Sequence, residues 1–215
     1  SKKNLMITNS IIDFNFIKLC ENIKHKKFLY SSSCAVYDDN YLRLKKRPNE
    51  NKILHPYNPD GLFGLSKLLS EKYIEQSNLN YIICRIFSIY GNDSDTIINQ
   101  WNKKIKRNKQ IDIWGNEKIN RSWLHIEDFV KAMALICTEA SEFKYFDVAS
   151  NENLTLKKIF KIILQSHKKS KSSYKVINSI DAGPKYRYAI RKNLDTLGFK
   201  QNIYLKQGIS LLNSD

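Results

Sequence analysis

Glycine and proline are scarce, at seven and four of 215 residues. That excludes collagen-like and low-complexity chains. No apolar run reaches the roughly 18 residues that a membrane-spanning helix needs. The opening SKKNLMITNS has no apolar core of a secretory signal. The four cysteines, Cys20, Cys34, Cys84 and Cys137, form no CxxC pair and sit in apolar contexts. They read as buried thiols of a reducing, cytoplasmic setting, not as a disulfide frame or metal site. His25, His55, His125 and His167 are scattered, with no Cys or acid at ligand spacing, so no metal site is expected. There is no GxSxG signature of a hydrolase and no GxxGxxG phosphate turn.

Arginine is scarce among the cations. Net charge is +15, yet only seven of the 36 basic residues are Arg. Readers of bases and phosphates favour the bidentate guanidinium. The lysine clusters 24–27, 103–109 and 157–175 interleave with apolar residues such as Ile105, Ile159, Phe160 and Ile163. That spacing marks solvated helix faces beside core faces, so nucleic acid is not the expected partner. A positive field still steers small anions such as nucleotides.

The composition is that of a globular chain, 42% hydrophobic and 27% charged. Apolar residues from Ile11 to Ile23 predict a helix over 9–23. Phe28-Leu29-Tyr30 predicts a strand running into Ser31-Ser32-Ser33. Residues 38–61 read as a long polar loop. Helices are predicted over 62–76, 94–108, 126–140 and 155–166, with Thr155 as an N-cap, and a last short one from Leu205. Tyr81 to Phe87 is a continuous apolar strand, the mark of a sheet covered on both faces. Further strands are predicted at 111–114 and 143–149, and 167–181 reads as a Lys/Ser-rich connection leading to Val176-Ile177. Strands alternating with helices predict an α/β fold with a mainly parallel sheet.

Three segments carry the chemistry. The strand end Phe28 to Tyr37 holds three serines. Phe63-Gly64-Leu65-Ser66-Lys67 opens a helix, and Arg85-Ile86-Phe87-Ser88-Ile89-Tyr90-Gly91 ends a strand. All three can open at the carboxyl edge of one sheet, where α/β ligands bind.

These segments resemble the extended short-chain dehydrogenase/reductase superfamily, in particular the NAD-dependent nucleotide-sugar epimerases and dehydratases. The SSSxxVY, YGxSK-like and RxFxxYG passages carry the resemblance. Ile113-Trp114-Gly115, Asn120-Arg121-Ser122-Trp123, Phe146 to Ser150 and Leu197-Gly198-Phe199 are similar to later family passages. The resemblance implies a Rossmann-like parallel sheet with a small substrate lobe. Residues 1–90 would be the carboxyl-terminal part of the dinucleotide-binding domain. Residues 91–215 would be mainly the substrate lobe, with 141–166 returning to the first domain. It implies NAD or NADP as cofactor, a nucleotide-sugar as substrate and no membrane. Ser33 would be the catalytic hydroxyl, and Lys67 would hold the nicotinamide ribose and act beside the catalytic position 63. Ser31 and Ile86 would lie on the cofactor side. Ser33, Ser88, Trp114, Arg121 and Arg187 would face the substrate, Arg121 through the diphosphate.

Two departures accompany the resemblance. Where the family has its catalytic tyrosine this chain has Phe63, which has no ionisable hydroxyl and cannot be a general base. Tyr37 and Tyr57 do not stand at the spacing from Lys67 that shares a helix face. The family's opening Gly-rich cofactor passage has no counterpart, and the similarity starts near where a fourth helix would stand. The expectation is therefore an impaired enzyme, or a non-catalytic nucleotide-sugar-binding or scaffolding relative. A further expectation is that another chain supplies the missing part, or that the sequence is a fragment, or that the fold is rebuilt through oligomerisation, with a homo-oligomer, a dimer, as the expected partner state.

Overall fold

The computed structural model describes residues 2–24, 26–37, 59, 61–140, 142–178, 189 and 191–214. The long loop expected over 38–61 therefore lies almost wholly outside the described residues, as does Arg187. The chain divides into two compact units. The first comprises Ser1–Ile86, Met133–Val148 and Ile190–Phe199, the second Phe87–Ala132, Ala149–Ala189 and Lys200–Asp215.

In the first unit, β1 (Phe28–Ser33), β2 (Tyr81–Ile86) and β6 (Tyr145–Val148) form a parallel sheet in the order β1-β2-β6. Ser33 pairs with Ile86, and Ile86 with Val148, so three carboxyl ends finish level. The interior of β2 is buried throughout, as its unbroken apolar run requires. A 3-10 turn, Cys34–Val36, follows β1. Helix α1 (Lys2–Glu21) packs against α2 (Gly61–Glu75), and α2 lies over β1. Ile17, Phe28, Tyr30, Ile74, Leu79 and Ile83 form the core between them.

The apolar stripe read on α1 is mostly not a core stripe. Ile17 is buried, whereas Ile11, Ile12, Phe16, Leu19 and Ile23 are exposed. Apolar residues occupy too much of this helix circumference for one contact with α2 and β1 to cover them. The cysteines also differ from expectation. Cys84 is buried in β2, where burial pushes its thiol up to about 12. Cys137, however, is exposed on α4 (Ile126–Glu139), and Cys20 and Cys34 are half-buried.

In the second unit, β3 (Ser88–Tyr90) pairs in parallel with β5 (Asn120–His125), and β5 pairs antiparallel with β7 (Asn153–Thr155). β4 (Ile111–Trp114) pairs in parallel with β8 (Tyr174–Ile177). Helices α3 (Ile97–Lys106), α5 (Leu156–Ser166) and α7 (Leu205–Leu212) pack around a core that includes Tyr90, Trp101, Ile113, Trp123, Phe160 and Ile209. Thr155 caps α5, its hydroxyl accepting from the Lys158 N–H at 3.2 Å, as expected. The short helix α6 (Lys192–Thr196) belongs to the first unit, where the Asn193 amide donates to the Tyr145 carbonyl at 2.7 Å. Among the described residues, no helix is long and apolar enough to cross a membrane.

Candidate active site

The first unit's site starts from a close backbone approach. A Cβ added at Gly64 would stand 2.2 Å from the Ala35 carbonyl oxygen. Only glycine lets the first turn of α2 rest on the turn that follows Ser33. This contact sets Phe63 and Lys67, both on α2, beside the end of β1. The Ser33 hydroxyl accepts from the Ala35 N–H at 3.1 Å and caps the 3-10 turn. Ser31 is exposed, while Ser33 and Ile86 are half-buried at adjoining strand ends. The structure thus brings Ser31, Ser33, Phe63, Lys67 and Ile86 into one unit, around one sheet edge.

The Phe63 ring is 48% exposed and brings no polar atom to that edge. No other described phenol there substitutes for it as a base. The Tyr30 hydroxyl donates to Asp13 at 2.5 Å, and burial followed by that carboxylate holds the phenol well above its ordinary range. Tyr37 is buried, its hydroxyl donating to Asp147 at 2.7 Å. Burial raises it too, despite the nearby Arg85 guanidinium. Both stay protonated near neutral pH. Tyr57 lies outside the described residues.

Lys67 is not free at this edge. Its ammonium donates to the Tyr30 hydroxyl at 3.1 Å and stands 3.5 Å from the Asp13 carboxylate. The carboxylate also accepts from the Ser70 hydroxyl at 2.8 Å.

Beneath the serines runs a buried ionic network. Arg85 meets Glu71 through both ends of its fork, Nε to Oε1 at 3.1 Å and Nη2 to Oε2 at 2.8 Å. Its Nη1 donates to the Tyr37 hydroxyl at 3.0 Å. The Ser32 hydroxyl donates to Glu71. Ser32 and Glu71 therefore tie β1 to α2 just below Ser33 and Lys67. Asp13, Tyr30, Ser70, Glu71 and Asp147 were not singled out from the sequence. A signal existed for the network: Arg85 interrupts an apolar strand, and a buried charge demands a partner.

The other described site residues lie in the second unit. Ser88 is half-buried on β3, in register with Trp123. Arg121 is half-buried on β5 and donates from Nη1 to the Asn120 carbonyl at 2.8 Å. Trp114 ends β4 and is 59% exposed, so its indole is presented to solvent rather than packed in the core. Trp123 is buried.

Residues 1–149 match the model of the NAD dependent epimerase/dehydratase family. The chain belongs to this family. A dTDP-D-glucose 4,6-dehydratase of Dictyostelium discoideum is 30% identical over 166 residues, 70% of this chain and 38% of that protein. A putative UDP-glucose 4-epimerase of Methanocaldococcus jannaschii is 27% identical over 213 residues, 94% of this chain and 66% of that protein. The chain thus spans less than two thirds of the length of either relative. The fold is shared with the UDP-glucose 4-epimerase of Thermotoga maritima, solved with UDP-glucose, at a TM-score of 0.84 and 20% identity. That match covers 100% of this chain and 71% of the Thermotoga chain. The expected α/β Rossmann-type architecture is therefore the observed one.

Proposed function

We propose that the protein binds a nicotinamide cofactor and a nucleotide-sugar as an epimerase/dehydratase homologue with little or no turnover. The cofactor fits the open edge of the first unit on one observation: Ser31 is exposed, and Ser33 and Ile86 are only half-buried, at strand ends that finish level. Lys67 and Ser31 would hold its ribose end. When bound, it would supply a hydride acceptor. The chain's own residues would do the rest. Ser33 would orient a sugar hydroxyl, Arg121 would pair with the diphosphate, and the exposed Trp114 ring would cover the base. Ser88 and Arg187 complete the proposed substrate side.

Phe63 carries the proposal of weak turnover. It occupies the first turn of α2, one helical turn before Lys67, where a proton acceptor would have to stand. Without one, the sugar hydroxyl keeps its proton as hydride leaves. Positioned acid–base groups typically supply about 10²–10⁴-fold in rate. The same residue favours a second reading, a non-catalytic nucleotide-sugar-binding or scaffolding relative.

The test begins with calorimetric titration of the 215-residue chain with NAD and, separately, with UDP-glucose. Turnover is then measured for wild type and Phe63→Tyr. Binding of both ligands, with a gain of about 10²-fold or more in Phe63→Tyr, supports the enzyme-like reading. UDP-glucose binding with no gain favours the scaffold. Binding of neither refutes the ligand assignments.

A further inference from the structure

Lys67 is a candidate-site residue whose charged end is already engaged. Asp13 stands on α1, a helix to which the resemblance gives no chemical role. Its Oδ2 accepts from the Tyr30 hydroxyl at 2.5 Å and the Ser70 hydroxyl at 2.8 Å, and lies 3.5 Å from Lys67 Nζ. Nζ donates to the Tyr30 hydroxyl at 3.1 Å and sits 4.7 Å from the centroid of that ring. The side chains of Lys67 and Asp13 are each less than one fifth exposed, so water screens the pair only in part.

The direction of this hold matters. Side chains alternate along β1, and the burial pattern follows that alternation. Tyr30 and Ser32 share the buried face, whereas Ser31 and Ser33 belong to the other. The ammonium is therefore drawn to the face opposite Ser33. A ribose offers neutral hydroxyls. The hydrogen bond of Nζ goes to the Tyr30 hydroxyl, and the carboxylate at 3.5 Å adds a charge attraction that a neutral ribose hydroxyl does not match.

Resting on the cofactor reading above, we propose that Asp13 is a positioning residue that withholds Lys67 from a nicotinamide cofactor. Moving Nζ toward a ribose hydroxyl lengthens its ion pair with Asp13, and cofactor affinity is lowered by what that costs. Ser70 and Tyr30 fix the carboxylate in place, which keeps the hold stiff.

The test uses the full 215-residue chain with Asp13→Asn, Asp13→Glu, Lys67→Ala and the Asp13→Asn/Lys67→Ala pair. Asparagine keeps an oxygen for Tyr30 and Ser70, and thermal unfolding checks that each variant folds. NAD affinity is measured by calorimetry. The rate of Lys67 acetylation under a pulse of acetic anhydride is read by peptide mass spectrometry, with exposed Lys72 as the internal reference. Asp13→Asn is expected to tighten NAD by about threefold to tenfold, the effect of a partly screened pair. It should speed acetylation of Lys67 but not of Lys72, and Asp13→Glu should restore wild-type values. On the Lys67→Ala background, Asp13→Asn should leave NAD affinity unchanged, which a merely structural role would not produce. If wild type binds NAD and Asp13→Asn binds it equally or more weakly, the proposal fails alone. An unchanged Lys67 acetylation rate also overturns it. If no variant binds NAD, the cofactor reading fails and the proposal falls with it.

Discussion

Truncating Arg85 to alanine should destabilise the first unit severely. The guanidinium is fully buried and makes two bonds to Glu71, itself fully buried, and a third to the Tyr37 hydroxyl. It also stacks over the rings of Tyr37 and Tyr145, 5.0 and 4.6 Å from their centroids. Removing it strands the Glu71 carboxylate in the interior, with Asp147, another buried carboxylate, one tyrosine away. Breaking a buried pair in this way costs about 3–5 kcal/mol, against a total stability of roughly 5–15 kcal/mol. For a chain of this size that is a fall in Tm of about 6–20 °C. The probe must be chosen with care. All three tryptophans, Trp101, Trp114 and Trp123, lie in the second unit, so indole fluorescence does not report on the first. Amide hydrogen exchange along β1 and β2 does. Arg85→Ala should collapse protection there, and Arg85→Lys should fall between, because it keeps charge but loses the fork. Pairing Arg85→Met with Glu71→Leu should recover at least half of the loss, since the Glu71 carboxylate is then no longer stranded. A loss below about 1 kcal/mol for Arg85→Ala, the value of an exposed pair, would refute the reasoning.

Two further outcomes follow from close contacts and from burial. Gly64→Ala forces a methyl against the Ala35 carbonyl, which is backbone and cannot swing aside; a loss of about 1–3 kcal/mol and a displaced α2 are expected, read by exchange at β1 and by thermal unfolding. The second unit should weaken on acidification. Burial lowers His125 and His167 below their ordinary 6.5, so the unfolded chain takes up protons that the folded one resists. This contribution is complete above about pH 6.5 and is lost as pH falls below it. Protonation would also remove the Nδ1 lone pair of His125 that accepts from the Glu127 N–H at 3.4 Å. Urea midpoints followed by tryptophan fluorescence should therefore drop between about pH 7 and pH 5, and a flat profile would contradict the assignment.

Strong periodicity made several elements legible in the sequence. The helices over 61–75, 126–139 and 156–166 and the strands at 28–33 and 81–86 lie within a few residues of expectation, although Leu69 and Tyr73 on the first of these helices are exposed and its buried positions include Ser66, Ser70 and Glu71. The strands Ser88–Tyr90 and Asn153–Thr155 were not expected. Each has three residues, too short for any pattern, and exists through pairing with Asn120–His125. That partner, NRSWLH, carries polar residues that tertiary contacts satisfy, such as Ser122 donating to the Ser150 carbonyl at 2.8 Å. In the candidate site, the serines, Phe63 and Lys67 were legible because they form contiguous motifs. The partners that fix them were not. Asp13 stands 54 residues before Lys67 in the chain (67 − 13 = 54), and nothing local marks it. Spacing alone does not show which face of β1 a lysine will choose.

The two kinds of residue at this edge are under different physical constraints. Arg85 and Glu71 cannot be exchanged singly without leaving a charge in the interior, so the framework below Ser33 persists for stability whether or not the chain performs chemistry. Phe63 has no such tie. Its ring is 48% exposed on the first turn of α2, and its backbone carbonyl, which accepts from the Ser66 hydroxyl at 2.8 Å, is indifferent to the side chain. A tyrosine there would add one hydroxyl to a half-exposed ring, a change within about 0.5 kcal/mol of neutral. The hydroxyl could therefore be lost without harm to the fold, and it can be put back on the same terms. Any gain in turnover from Phe63→Tyr would then report on chemistry and not on folding. A failure of Phe63→Tyr to change turnover, with Tm unaltered and UDP-glucose still bound, would show that the intact framework holds a ligand for a purpose other than hydride transfer.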